Sequence, residues 1–364
     1  MTVIAVLLAA LLVLALVSYR MSFRLGGETL PATNASPAAQ PAPAPFACAL
    51  PVVATSWAAY PGPDPVEKVF AGFVNIPAGE FQVDPAAALH DLPSDTGGLW
   101  SATYSSPLKR WLPADSRTVS PDGRSYMYVK WLPENLNYSR KGVTATSYEL
   151  HVVNAAKKTD QKLWSTADLI GIDRWDSHGI LVNTSRKGGG APGSWRIDPA
   201  TGRVTQEPSD AEQVSLPVDA LPHSGIMYMT LGQDRQGRAV FRIGSRDTGT
   251  KYSVVVVESG RATTIYSGVA GDATDFDPGG VYSDAHGLWL GNFDGSRVWL
   301  WTKSAGLRSF KVTGLPPAPE VTSLPPAPPG YKFYNVSLGP AGECVPGQFD
   351  GVALAPLPPR SGTG

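Results

Sequence analysis

The chain has 364 residues, 43% hydrophobic and 17% charged, with 30 Lys+Arg against 31 Asp+Glu and a formal net charge of −1. That length accommodates one large or two ordinary domains, and a balanced charge with no basic block offers nothing to neutralise a phosphate backbone, so no nucleic-acid partner is expected. The 38 Gly and 34 Pro, about a fifth of the residues, argue against a helical protein; they punctuate short runs containing Val, Tyr and Trp, the pattern of an all-β chain.

The first element is apolar. VIAVLLAALLVLALVSY, residues 3–19, has no charge and no helix breaker, and its length is close to the lower limit of about 17–25 residues for a membrane-spanning helix. Residues 1–24 therefore read as a signal peptide or an uncleaved signal-anchor. Arg20 and Arg24 follow the run and no basic residue precedes it, which by the positive-inside tendency would hold the following domain in the cytoplasm. Long domains translocate largely regardless of flanking charge, and two cysteines suit an oxidising compartment. With no small-x-small cleavage site after the run, the favoured reading is an anchor with the main domain outside the cytoplasm; the alternative is secretion after cleavage. Residues 25–46 form a linker whose core, PATNASPAAQPAPAPF, is too rich in Pro for a regular sheet and reads as an extended spacer. Residues 360–364 read as a disordered tail.

The domain itself, 47–359, starts irregularly, with strand-like GFVNIPAGEFQV and GLWSATYSS. A repeat then begins. RTVSPDGRSYMYVKW at 117–131 is echoed by RWDSHGILVNTS at 174–185, GQDRQGRAVFRIG at 232–244, YSDAHGLWLGNF at 282–293 and LGPAGECVPGQF at 338–349. Each is a polar or small turn ending in Gly, followed by an apolar run. The turn glycines are Gly123, Gly179, Gly237, Gly287 and Gly342, spaced 56, 58, 50 and 55 residues apart. In the first copy Ser120 and Asp122 are read as turn residues and not as catalytic ones. Between these copies lie ELHVVNAAKKTDQKLW, SWRIDPATGRVTQ, SVVVVESGRATTIY and VWLWTKSAGLRSFKV, each a strand, a tight turn and a strand. Two hairpins per repeat make a four-stranded unit, the signature of a β-propeller blade.

The SPDG turn before an apolar strand, and the D-x-x-T-G turn in an outer hairpin, resemble the WD40-like propeller repeats of the TolB type, most clearly over 115–165. The order RWLP…SPDG at 110–123 also resembles membrane-anchored bacterial propellers of unassigned function. The resemblance implies the fold and says little of activity, because such families include periplasmic scaffolds, binders and, in some branches, hydrolases. Residues 47–359 divided by a repeat near 53 predict about six four-stranded blades, with seven as the alternative. Ring closure would join an N-terminal strand to the last blade, bringing Cys48 and Cys344 together as a disulfide.

The search for chemistry returns little. His178 and His286 occupy the same place in two repeats, before the turn Gly, which points to turn structure. No HExxH or other metal-ligand spacing occurs, and no GxSxG elbow. Ser106 and Lys109 match SxxK by letter only, in a strand-like region. KGGGAPGS at 187–194 lacks the end of a phosphate loop and reads as an exposed contact loop. In GDATDFDPGG, Asp272, Asp275 and Asp277 are calcium candidates, although an Asp/Gly-rich turn has the same composition and is the favoured reading; no other cofactor is expected. The Pro-rich 315–330 reads as a stiff polyproline connection. With no complete catalytic set, the expectation is a non-enzymatic binding or scaffold propeller at the cell envelope, engaging an envelope protein or extracellular ligand. The alternative is an extracytoplasmic hydrolase or lyase whose scattered acidic residues, such as Asp173, Asp176, Asp272 and Asp275, meet at the propeller axis.

Overall fold

The computed structural model describes residues 46–58, 66–87, 102–132, 147–185, 193–207, 226–234, 237–245, 251–269, 276, 278–292, 295–315 and 337–349. The N-terminal apolar segment expected to form a helix, the linker up to residue 45, most of the Gly-rich loop, the calcium candidates Asp272, Asp275 and Asp277, most of the Pro-rich 315–330 and the tail lie outside the described residues.

Short β-rich runs with frequent turns pair with their sequence neighbours, and the result is a set of antiparallel sheets. Strands β9 (Leu169–Asp176), β10 (Gly179–Ser185), β11 (Gly193–Ile197) and β12 (Val204–Glu207) form one four-stranded blade in sequential order. A second consists of β13 (Ile226–Gln233), β14 (Ala239–Ser245), β15 (Lys251–Glu258) and β16 (Arg261–Val269). A third consists of β17 (Pro278–Asp284), β18 (Gly287–Asn292), β19 (Arg297–Thr302) and β20 (Gly306–Lys311). The blade β6 (Ser125–Leu132), β7 (Ser147–Asn154) and β8 (Thr159–Thr166) has three strands. Aligned on the turn glycines, β6 corresponds to β10, β14 and β18, so the strand it lacks is the innermost. A 3₁₀ turn at Ser116–Thr118 and one antiparallel bridge, Val119 to Tyr126, stand in its place.

The fifth blade closes the ring. β1 (Cys48–Ala58), β2 (Val66–Ile76) and β3 (Glu80–Val83) come from the N-terminal part, and β21 (Ser337–Pro340) adds along β1, as does the short β22 (Val345–Pro346). Cys48 and Cys344 form a disulfide across this junction, with Cα atoms 5.6 Å apart. The bridge spans 296 positions, and a crosslink over so long a loop restricts the unfolded chain strongly, by up to about 5 kcal/mol in the chain-entropy description.

The described residues thus form five blades, which corrects the expected six and the alternative of seven. Each of the five blades carries one of the turn glycines, whereas dividing the length by the period had counted a further blade in the N-terminal part. The described residues among 47–116 do not supply a complete blade beyond the closing one. They give three strands to the closing blade and then a two-stranded hairpin, β4 (Thr103–Ser105) with β5 (Arg110–Leu112). This hairpin wedges between the closing blade and β6. On one side Tyr104 and Trp111 pack with Phe73, Ala49 and Ala341; on the other Leu112 packs with Val119, Tyr126 and Ala155.

Of the remaining cores, one lies on β14 and β15, with Phe241, Ile243 and Val257, and three lie between blades, because a single sheet cannot bury both its faces alone. Leu50, Val52, Trp289, Leu300 and Leu338 join the closing blade to β17–β20. Val254, Val256, Leu288, Leu290 and Trp301 join β13–β16 to β17–β20. Met127, Val129 and Leu150 meet Ile170, Ile180 and Ile197 between β6–β8 and β9–β12. In β18, Leu288, Trp289 and Leu290 are consecutive and fully buried, since this strand is covered on both faces and alternation gives way to a continuous apolar run.

Candidate functional site

The repeated turns prove to be Asp-capped. A carboxylate accepts hydrogen bonds from backbone amides just ahead of it and so holds a tight bend without help from a ladder. Asp122 Oδ1 accepts from the Ser120 hydroxyl (2.6 Å) and the Arg124 amide (3.0 Å). Asp176 Oδ1 accepts from the His178 amide (2.8 Å), Asp284 Oδ1 from the His286 amide (2.8 Å), and Asp234 Oδ1 from the Arg238 amide (2.8 Å). Gly123, Gly179, Gly237 and Gly287 complete the turns at φ of 69°, 121°, 76° and 143°, a region that side-chain-bearing residues avoid. Gly342 works differently. It lies between β21 and β22, outside any hairpin, and a Cβ there would come within 2.8 Å of the Tyr104 carbonyl oxygen, where the closing segment bridges β4.

These turns gather at one end of the propeller axis, where all five sectors contribute to one cavity. It measures about 580 Å³ and is lined chiefly by Arg174, Asp176, His178, Tyr282, Asp284 and Glu343, with Pro121 from the β6 turn and Gly237 from the β14 turn. That is inside the range of about 300–1,000 Å³ usual for ligand sites. A smaller cavity of about 200 Å³ adjoins it, sharing Pro121, Tyr282 and Glu343 and continuing to Tyr104, Ser106, Asp122 and Gly123. The smaller cavity sits where the β6–β8 blade lacks an inner strand.

Most acidic groups here are already engaged. A bulge in β9 leaves Asp173 opposite no residue of β10, so Asp173 and Arg174 are drawn towards the same side and pair at 2.7 Å. Arg174 Nε also donates to Asp176 Oδ2 (3.1 Å), and Arg196 reaches Asp176 Oδ1 (3.1 Å). Burial acts to raise the pKa of Asp176, but the His178 amide and the charges of Arg196 and Arg174 prevail and hold it below the ordinary carboxylate value. At Asp122, burial is likewise outweighed by the Ser120 hydroxyl, the Arg124 amide and the Arg124 charge, and its pKa is lowered. Asp284 is 2% exposed in its side chain; its Oδ2 accepts from Trp289 Nε1 (2.9 Å) and the Cys344 amide (2.9 Å), which ties the last complete blade to the closing segment. Asp234 binds Arg238 and the Ser283 hydroxyl. Three lining groups project outward, of which only His178 has a charged neighbour among the described residues, its Nδ1 lying 3.6 Å from Asp176 Oδ1. The His178 side chain is 79% exposed, and Ser177 and Glu343 are exposed as well.

Asp173 and Asp176, anticipated as acidic candidates at the axis, lie at this end, with Asp176 on the cavity wall and Asp173 held by Arg174; Asp275 and Asp272 are outside the described residues. Ser106 and Lys109 sit in the turn between β4 and β5, not at a helix start, so the SxxK letters build no nucleophile there. His178 and His286, equivalent in the repeat, differ in surroundings, for His286 stacks on Phe46 with centroids 4.4 Å apart. Among the described residues no group of three or more His, Cys, Asp or Glu is placed to hold a metal ion. Arg174, Tyr282, Asp284 and Glu343 were not foreseen. Asp284 had a legible signal, since Asp-x-His-Gly at 284–287 repeats 176–179; Glu343 had none, being a lone acid beside a small-residue turn.

No family model matches the chain, and no curated protein does. Among solved structures, the chain is similar to the β-propeller domain of the Trilobed protease from Pyrococcus furiosus, at 10% identity over 75% of this chain and 86% of that one, with a TM-score of 0.34. It is also similar to TolB from Acinetobacter baumannii, at 13% identity over 74% of this chain and 55% of that one, TM-score 0.29. Oligogalacturonate lyase in complex with manganese is matched at 10% identity over 52% of this chain and 50% of that one, TM-score 0.28. The chain spans about half the length of the latter two, and likeness at these identities concerns architecture alone. The chain is a β-propeller with blades of antiparallel strands, and the solved structures it is similar to are TolB-type and other β-propeller proteins.

Proposed function

We propose that the protein is a non-enzymatic binding or scaffold propeller at the cell envelope, which engages an envelope protein or extracellular ligand through the axial cavity. The observation that carries this reading is the commitment of the cavity's carboxylates. Asp176 and Asp284 are spent on turns, ion pairs and closure, which makes the mouth a rigid, shaped surface with polar groups projecting from it. Rigid scaffolds that present turns around a concavity suit recognition. A location outside the cytoplasm is supported by the Cys48–Cys344 disulfide. Membrane attachment through residues 1–24 rests on the apolar sequence alone; among the described residues no helix is long and apolar enough to cross a membrane.

The convergence of Asp176, His178, Asp284 and Glu343 on one cavity favours a second reading, an extracytoplasmic hydrolase or lyase. A photo-crosslinking residue at position 178 of the full chain separates the two when exposed to envelope extract. The expected result is capture of a discrete partner from position 178 and none from a control at exposed position 261 on the outer strand β16. Equal labelling from both positions would remove the binding reading.

A further inference from the structure

We infer that the smaller cavity receives a cationic group, a primary ammonium or guanidinium, carried by the molecule that occupies the axial mouth. This rests on the binding reading above and specifies its chemistry.

At about 200 Å³ the cavity is below the size that holds a whole ligand, so it suits one end of a molecule whose body occupies the adjoining 580 Å³. Among the described residues no Lys, Arg or His lines it, whereas two carboxylates do, Asp122 and Glu343. The Asp122 anion is stabilised by the Ser120 hydroxyl, the Arg124 amide and the charge of Arg124, whose side chain is not part of the wall. Glu343 stands at the lip shared by both cavities, exposed and without a hydrogen bond or ion pair to another described residue. The wall also carries Ser106, whose Oγ is sheltered from solvent and has no hydrogen-bond partner. Its neighbour Ser105, by contrast, donates to the Gly123 carbonyl and accepts from the Leu108 amide. An orphaned, sheltered hydroxyl is costly to leave unmatched, and an N–H donor arriving with a cation would use its lone pairs. Tyr104 and Tyr282 complete an aromatic flank; burial and the nearby Asp84 charge raise the pKa of the Tyr104 phenol, so the ring stays neutral. Carboxylates, a hydroxyl acceptor and aromatic rings are the groups that recognise organic cations. A hard divalent ion would ask for about six to eight oxygens, and no cluster of three acidic, His or Cys ligands is present among the described residues.

The test is calorimetric titration of the full-chain protein with Nα-acetylated, C-amidated tri-lysine, with the same peptide acetylated on every Nε so that it carries no charge, and with calcium chloride alone. Tri-lysine is expected to bind and to weaken with added salt, and the Nε-acetylated peptide is expected to give no binding. Glu343→Gln, at an exposed position that supports no packing, should weaken tri-lysine by about tenfold, and Ser106→Ala should weaken it less. Equal binding of the Nε-acetylated peptide, or an unchanged affinity in Glu343→Gln, would overturn the inference. So would calcium that binds and displaces tri-lysine, since the site would then be one for an inorganic cation. Capture from position 178, run on the same preparation, keeps the two readings apart. Capture without tri-lysine binding removes the cationic group and leaves the binding propeller; loss of both removes both.

Discussion

The blade β6–β8 has two faces of opposite character. Towards β9–β12, Met127, Val129, Tyr148 and Leu150 are buried in an apolar core. On the other face only the inner part is covered, by the hairpin β4–β5, where Tyr126 meets Leu112. Beyond the reach of that hairpin the same face carries a charged network. His151 Nδ1 lies 2.9 Å from Asp160 Oδ1 and its Nε2 3.2 Å from Glu149 Oε2. Tyr128 donates to Asp160 Oδ2 (2.6 Å) and stacks on His151, and Lys162 donates to Glu149 Oε1 (3.0 Å). A complete blade on one side calls for apolar residues at alternate positions; a two-stranded hairpin on the other leaves the outer strands without a facing sheet, and polar residues that shelter one another take the intervening positions. Strand alternation is therefore a record of which neighbour each face meets.

Breaking the covered face should have the largest effect. Leu150→Ala, at a fully buried position, is expected to cost about 2–5 kcal/mol, read from the denaturation midpoint at constant slope. On the other face, Glu149→Gln at neutral pH should cost less, about 1–2 kcal/mol, because the side chain is 15% exposed and loses the charge that its hydrogen bonds from Lys162 and His151 meet; a loss equal to that of Leu150→Ala would mean that the face is covered after all. The finest contrast is in acid. The hydrogen bonds from His151 and then from Lys162 lower the Glu149 pKa in the folded protein. Its contribution is therefore fully present above the unfolded carboxylate value, about 4.3, and is lost as pH falls through the lower folded value. Below about pH 4 the unmodified protein should lose stability more steeply than Glu149→Gln, while Leu150→Ala should run parallel to the unmodified protein. Melting temperatures between about pH 2.5 and 7 would show it, and identical slopes for all three would deny Glu149 this role.

The repeat was most legible where the architecture is least regular. SPDG at 120–123 marked the register clearly, yet the blade it opens is the one without an inner strand. Turn chemistry is local: Ser120, Asp122 and Gly123 satisfy one another within five residues, so the motif survives whether or not a strand precedes it. Whether a preceding segment becomes a strand depends on what lies beside it, and here the hairpin β4–β5 occupies part of that space.

The sequence by itself determined the all-β class, the repeat, four of its five turns and the pairing of Cys48 with Cys344, because each rests on backbone preferences and on order along the chain. Tertiary structure alone decided the number of blades, the truncated sector, and the meeting of Arg174, Asp176, Tyr282, Asp284 and Glu343 at one mouth. Those residues are 169 positions apart from first to last, and no local preference couples them. They come together only because the ring closes and turns every equivalent bend towards the same axis.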